Sequence, residues 1–221
     1  MKKIAELKCD FPTKFGLPRQ SGLVDIPARV VFEKKYSDEN AFRGLSDYSH
    51  VWLLWGFSGV DKQDWSPMVR PPRLGGNTKM GVFATRSPYR PNPIGLSCVK
   101  LERIEKQGDR MVVFVSGADI MDGTPIYDLK PYLPNVDCVQ AKGGFSESVA
   151  DYSVEVVFGA GVGDDLGVEE KELLIKILSQ DPRPSYIDDG ERIYGFFWGE
   201  KEVKFKVQNG VLEVVEIRRE K

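Results

Sequence analysis

The sequence predicts a mainly β protein that ends in a small α+β appendage. Apolar runs of strand length follow one another closely through the first two thirds of the chain. The gaps between them leave little room for crossover helices. One amphipathic stretch stands near the carboxyl end, and three more short apolar runs follow it. Strands spaced this closely build a barrel or a sandwich, not an α/β alternation.

The elements follow in order. ARVVF at residues 28–32 reads as a short strand, and HVWLLWGF at 50–57 as a buried one. MGVFAT at 80–85 reads as another. Residues 97–104 and 111–116 flank the turn KQGD and read as a hairpin. YSVEVVF at 152–158 alternates as a further strand. At 168–180, VEEKELLIKILSQ places Leu174, Ile177 and Leu178 on one helical face. That helix is expected to stop before Asp181-Pro182, where proline disfavours continuation. RIYGFFW, EVKFKV and VLEVVEI complete the chain, with Glu200 near the first turn and Asn209-Gly210, a strong hairpin signal, at the second. The expected division is a β domain over 1–159 and an α+β domain over 160–221. GAGVGDDLG, between strand and helix, imitates a nucleotide-binding glycine loop. Helix plus meander follows it, not repeated βα units, so a flexible interdomain linker is the preferred reading.

Composition narrows the function. Hydrophobic residues at 41% and charged residues at 29% are those of an ordinary globular protein. No apolar run approaches the roughly 18 residues of a membrane span. MKKIAELKCD lacks the apolar stretch of a signal peptide, so a cytoplasmic location is expected. Cys9, Cys98 and Cys138 are far apart, there is no CxxC pair, and His50 is the single histidine. Disulfide frameworks, ordinary zinc sites and Ser-His catalysis are therefore disfavoured, and no metal is expected. The net charge is -2, yet residues 65–101 hold no Asp or Glu. They do hold Arg70, Arg73, Lys79, Arg86, Arg90 and Lys100. Such a stretch favours an anionic ligand or a phosphate backbone, unless acids elsewhere in the fold balance it.

Three segments carry candidate chemistry. FGLPRQ at 15–20 offers the Arg19 fork and the Gln20 amide behind a stiffening proline, although alone it also reads as an ordinary turn. RPPRLGGNTKMGVFATRSPYRPNPIGLS at 70–97 is rich in proline, glycine and arginine. Its rigid loops would present Arg86, Arg90 and Asn92 as a preorganised polar cluster. DGTPIYDLKPYLP at 122–134 opens with a turn and continues as a strand. There Asp128, Lys130 and Tyr132 share one face, either as a structural network or as a proton-handling site.

Together with SHVWLL at 49–54 and DPRPSY at 181–186, these segments resemble the TsaA-like family, the TrmO-type tRNA methyltransferases, over essentially the whole chain. The resemblance implies a β-barrel methyltransferase domain of class VIII and a homodimer that uses S-adenosylmethionine. The implied substrate is the exocyclic N6 of threonylcarbamoyl-adenosine at position 37, in the tRNA anticodon loop. It also places cofactor contacts at Pro18, Arg19, Gln20, Ser58, Gly59, Arg86, Cys98, Asp122, Gly123 and Thr124. At Ser58-Gly59 the chain departs from the His-Gln of some members, which leaves backbone contacts there. GAGVGDDLG falls outside every family signature.

Roles in the chemistry are our inference. Asp128 is the expected general base, with Tyr132 as the alternative. Arg86 or Arg90 would hold the threonyl carboxylate. Asn92 and Lys130 join the substrate-binding set. Arg183 and Tyr186 would meet phosphate and base, although Asp181 and Pro182 also suit a packing turn. Two other functions compete: a non-catalytic RNA-binding β module, and an S-adenosylmethionine-dependent methyltransferase of a different substrate.

Overall fold

Alternate residues of a strand face opposite sides of its sheet, so a one-sided apolar pattern specifies a curved sheet around a core. The structure is a computed structural model and describes residues 1–59, 65–71, 74, 78–150, 152–183 and 189–219. Its strands and helices are β1 (Ala5–Lys8), β2 (Pro27–Phe32), β3 (His50–Gly56), β4 (Met68–Val69), β5 (Met80–Gly81), β6 (Ile94–Gln107), β7 (Arg110–Ser116), β8 (Pro125–Pro131), α1 (Pro134–Asp137), β9 (Glu155–Phe158), α2 (Val168–Ser179), β10 (Tyr194–Trp198), β11 (Lys201–Gln208) and β12 (Val211–Arg219). The chain divides into two units. One comprises Met1–Lys14, Pro18–Asp61 and Asn92–Gln140; the other comprises Phe15–Leu17, Lys62–Pro91 and Ala141–Lys221.

The first unit is a closed barrel in the order β1-β2-β7-β6-β3-β8. The expected mainly β architecture is thus present, and the choice between barrel and sandwich falls to the barrel. β1, which the sequence reading missed, closes it. Ala5 lies opposite Phe32 of β2 on one edge and opposite Ile126 of β8 on the other. Leu7, Val30, Val51, Leu53, Val113 and Ile126 point inward and are fully buried. Two register shifts bend the wall, one between Leu54 and Trp55 against β8, the other between Leu101 and Arg103 against β7. Gly95 lies under the Trp55 ring, where a Cβ would collide with the indole.

The second unit carries a four-stranded sheet in the order β10-β11-β12-β9. β9 was assigned to the first domain from sequence. It pairs instead with β12, in parallel, with Val156 opposite Leu212. GAGVGDDLG therefore connects β9 to α2 inside one unit and is no interdomain linker. α2 buries Leu174, Ile177 and Leu178, the face read from its periodicity. Asn209 and Gly210 adopt positive φ at the β11–β12 turn, as an Asn-Gly hairpin requires. The strand expected at 80–85 shortens to Met80–Gly81, because Val82–Ala84 coil into a 3-10 turn.

Asp181 ends the helix with φ +46 and is 2% exposed. A carboxylate this buried needs partners. Arg183 Nε donates to its Oδ1 at 2.9 Å, Arg183 Nη2 to its Oδ2 at 3.1 Å, and the Tyr152 hydroxyl to Oδ2 at 2.9 Å. The hydrogen bonds it donates to Asp181 hold the Arg183 guanidinium above its ordinary pKa.

Two expectations follow. Leu53→Ala should cost about 2–5 kcal/mol in urea unfolding, whereas Leu54→Ala, on the outer wall, should cost far less. Arg183→Ala should cost about 3–5 kcal/mol, since it strands a buried carboxylate.

Candidate active site

The best-defined constellation in the barrel unit is the Asp122–Thr124 turn. Its backbone is tied to β1 and the residues after it. Gly123 N donates to Leu7 O at 2.9 Å, Leu7 N donates to Thr124 O at 3.0 Å, and Asp122 N donates to Phe11 O at 2.8 Å. The Asp122 carboxylate accepts from Cys9 N at 3.1 Å and has the Lys8 ammonium 3.7 Å away. Gly123 turns at φ +74 and is exposed, so a ligand can approach its backbone. The Thr124 hydroxyl lies 3.2 Å from that of Ser58, just past the end of β3. Beside Ser58, a Cβ on Gly59 would meet the Met121 methyl at 2.9 Å. Ser58, Gly59, Asp122, Gly123 and Thr124, separate in sequence, are thus brought together.

Sequence reasoning missed a polar chain at the same end of the barrel. Ser97 is fully buried on β6. Its hydroxyl accepts from Trp55 Nε1 at 2.9 Å and donates to Asp119 Oδ1 at 2.5 Å. The available signal was a serine at an inward, otherwise apolar position of its strand. Cys9 was missed as a neighbour of Asp122. Its Sγ donates to Ile120 O at 3.3 Å, and burial pushes the thiol up to about 11. A groove of about 730 Å³ runs beside Asp122, lined among others by Lys8, Cys9, Arg29, Arg103, Phe114 and Ser116.

Asp128, Lys130, Tyr132 and Cys98 gather elsewhere, on the outer wall around β3. Asp128 lies opposite Leu54, and Lys130 and Cys98 flank Trp52 from either side. Tyr132 N donates to His50 O, and its ring lies 5.7 Å from that of Trp52. The β8 register shift leaves Tyr127 as the extra residue and sets Asp128 outward. The Asp128 carboxylate is 2.9 Å from the Lys130 ammonium. Asp137 of α1 accepts from Trp52 Nε1 at 3.0 Å and from Leu133 N at 2.8 Å. Desolvation first, then the Cys138 and Cys98 thiols and Asp137, push the Tyr132 phenol above its ordinary pKa. Tyr132 therefore stays protonated near neutrality, which suits a donor better than a base. Desolvation and Asp137 also raise the Cys98 thiol.

Pro18 is buried, and Arg19 and Gln20 are half-buried, with Gln20 Nε2 donating to Arg19 O at 2.6 Å. In the second unit, Arg86 is exposed. Arg90 Nη1 donates to Thr85 O at 2.9 Å and to Ser87 O at 3.3 Å, which fixes its guanidinium. Asn92, in the barrel unit, is exposed. Arg183 spends two of its three nitrogens on Asp181. Tyr186 lies outside the described residues, as do Pro72, Arg73 and residues 75–77 of the basic segment.

The donor set suits S-adenosylmethionine. A carboxylate acceptor at Asp122 matches a ribose diol, and the hydroxyls of Ser58 and Thr124 and an exposed glycine backbone match a purine edge. The Arg19 fork matches an amino-acid carboxylate. Among the described residues no group of three His, Cys, Asp or Glu could hold a metal ion, and no helix is long and apolar enough to cross a membrane.

Comparison with known proteins identifies the family. Residues 6–138 match the family model of the tRNA-methyltransferase O N-terminal domain, and residues 151–220 match that of the TrmO C-terminal domain. A tRNA (adenine(37)-N6)-methyltransferase of Escherichia coli (strain K12) is 36% identical, covering 96% of this chain and 95% of the relative. An S-adenosyl-L-methionine-binding protein of Archaeoglobus fulgidus is 32% identical, covering 65% of this chain and 96% of the relative. The crystal structure of TrmO from Pseudomonas aeruginosa superposes with a TM-score of 0.76 at 30% identity, covering 98% of this chain and 97% of that one. With both domain models matched in order along the barrel and the α+β unit, the chain belongs to the TrmO family of tRNA methyltransferases.

Proposed function

We propose that this chain transfers the methyl group of S-adenosylmethionine to N6 of threonylcarbamoyl-adenosine at position 37 of tRNA, acting as a cytoplasmic homodimer on the anticodon loop. The observation that carries the reading is the Asp122–Thr124 turn, pinned to β1 and joined to Ser58. It stands in a chain that matches both TrmO domain models. The relatives' names support the adenine-37 methyltransferase reading and the cofactor. The threonylcarbamoyl group comes from the family resemblance alone.

S-adenosylmethionine supplies an electrophilic methyl carbon when bound. Pro18, Arg19, Gln20, Ser58, Gly59, Asp122, Gly123 and Thr124 are the proposed holders, with Arg86 and Cys98 carried over from the resemblance. The acceptor nitrogen is acylated and weakly nucleophilic until its proton leaves. Asp128 is the proposed base, which would take the N6 proton on its carboxylate. The Lys130 ammonium, 2.9 Å away, orients that carboxylate. Tyr132, held neutral, serves as a hydrogen-bond donor. Arg90, fixed by two carbonyls, and Arg86 are proposed for the threonyl carboxylate, and Asn92 for a further substrate contact. Arg183 retains Nη1 for phosphate, and Tyr186 is proposed for a base.

The deciding experiment adds purified protein and labelled S-adenosylmethionine to tRNA from cells lacking this gene, then maps the labelled nucleoside. Label on threonylcarbamoyl-adenosine 37 is expected. Binding of the cofactor with no labelled tRNA would point to another substrate, and binding of neither would leave a non-catalytic RNA-binding module. Asp128→Asn should lower kcat by about 10²- to 10⁴-fold; wild-type turnover across the pH range would remove its assignment as base. Asp122→Ala should weaken cofactor binding about 10- to 100-fold by calorimetry, with the barrel still folded by circular dichroism.

A further inference from the structure

Exposed aromatic rings are costly on a soluble surface and call for an explanation when they cluster. In the second unit Trp65 is 50% exposed and Phe83 is 73% exposed. Their rings lie 6.4 Å apart and 22° from parallel. The 3-10 turn Val82–Ala84 produces this display, since it buries Val82 at 1% exposure and turns the adjacent Phe83 outward. Val82 N donates to Pro67 O, and Ser66 N donates to Tyr89 O, so the segment that follows Trp65 is tied to the turn and to the residues after it. Tyr89 and Met68 are exposed as well. The Arg90 guanidinium stands 5.9 Å from the Phe83 ring centroid and is held there by Thr85 O and Ser87 O.

Charge selects the occupant. Over residues 65–101 the sequence contains no carboxylate, while Arg70, Lys79 and Arg86 join Arg90. An apolar protein partner would gain nothing from this unbalanced positive charge, and a metal would be repelled. A single-stranded nucleic acid matches both parts, with phosphates for the cations and unstacked bases for the rings. We propose that Trp65 and Phe83 form a platform on which an unpaired base of the tRNA anticodon loop stacks, with Arg90 beside the Phe83 ring and Arg70 and Lys79 on the backbone. The proposal rests on the tRNA reading and adds to it the surface that grips the loop.

The test uses the full chain and measures affinity for an anticodon stem-loop RNA and for a fully paired RNA of equal charge, across a range of salt. Phe83→Ala should weaken stem-loop binding about tenfold, leave paired RNA unchanged, and keep the salt slope, because no charge is removed. Phe83→Tyr, which retains a π face, should restore it. Stem-loop binding by the wild type should quench tryptophan fluorescence, and Trp65→Ala, a second variant should Phe83→Ala fail to fold, should abolish that quench while weakening binding by a similar factor. Equal stem-loop affinity in wild type, Phe83→Ala and Trp65→Ala would overturn the platform and leave the tRNA reading intact. Loss of self-association in these variants, with RNA affinity unchanged, would assign the rings to contact between copies. Failure of the wild type to bind either tRNA or stem-loop would sink the tRNA reading, and the platform with it.

Discussion

The four residues of β1 carry two tasks on one ladder of hydrogen bonds. Their edges pair with β2 and with β8, which turns an open sheet into a barrel without edges. Leu7, whose side chain is in the core, then bonds through its backbone to Gly123 and Thr124, and Cys9 and Phe11 bond to Asp122. Barrel closure and the placement of the candidate cofactor turn are therefore one event. A one-residue slip of β1 would expel Leu7 from the core and shift every donor that holds the turn. This is how a site built on a loop acquires the rigidity of the strands below it.

Polar groups at that barrel end follow the same logic. Trp55 packs on Gly95, Ser97 links its indole to Asp119, and the hydroxyls of Ser58 and Thr124 meet. The buried groups among them are each given a partner, because an unsatisfied buried polar group is costly. The register shift in β8 divides the same strand between two duties. Ile126 stays in the core, while Asp128 and Lys130 point outward from the wall. One bulge thus lets a strand serve both the core and the outer surface of the barrel.

Much of this was legible in residue order, for reasons that differ by element. β3 and the β6–β7 hairpin announce themselves through long apolar or alternating runs, and α2 through Leu174, Ile177 and Leu178. β1 does not, since AELK holds only two inward residues and gains its stability from two neighbours far away in sequence. β9 looked like the end of the first domain because alternation says nothing about which sheet a strand joins; its partner, β12, lies more than fifty residues on. The 80–85 run failed as a strand because apolar character there serves a tight turn, with Val82 inward and Phe83 outward. At the candidate site, Asp122 to Thr124 were singled out through a motif, but the Ser97–Asp119–Trp55 chain was not. Only the register reveals that Ser97 faces inward. Arg183 was read as a phosphate ligand, and nothing in residue order signals that its Nε and Nη2 also bond to Asp181, a pairing visible only once the positive φ of Asp181 folds the segment back.

The distribution of charge matters more than its sum. A chain of net charge -2 has little long-range attraction for a polyanion. Concentrating cations in one acid-free segment restores that attraction locally, where phosphates can be neutralised. Charge alone reads any nucleic acid, so it supplies encounter and not choice. Choice requires groups that distinguish an unpaired base from a helix, and exposed rings fixed beside a held guanidinium do this because only unpaired bases offer an open face. On the proposed reading, in which the substrate is a loop nucleotide, that distinction is needed before chemistry begins. The segment that carries the cations is also the one that carries Trp65 and Phe83.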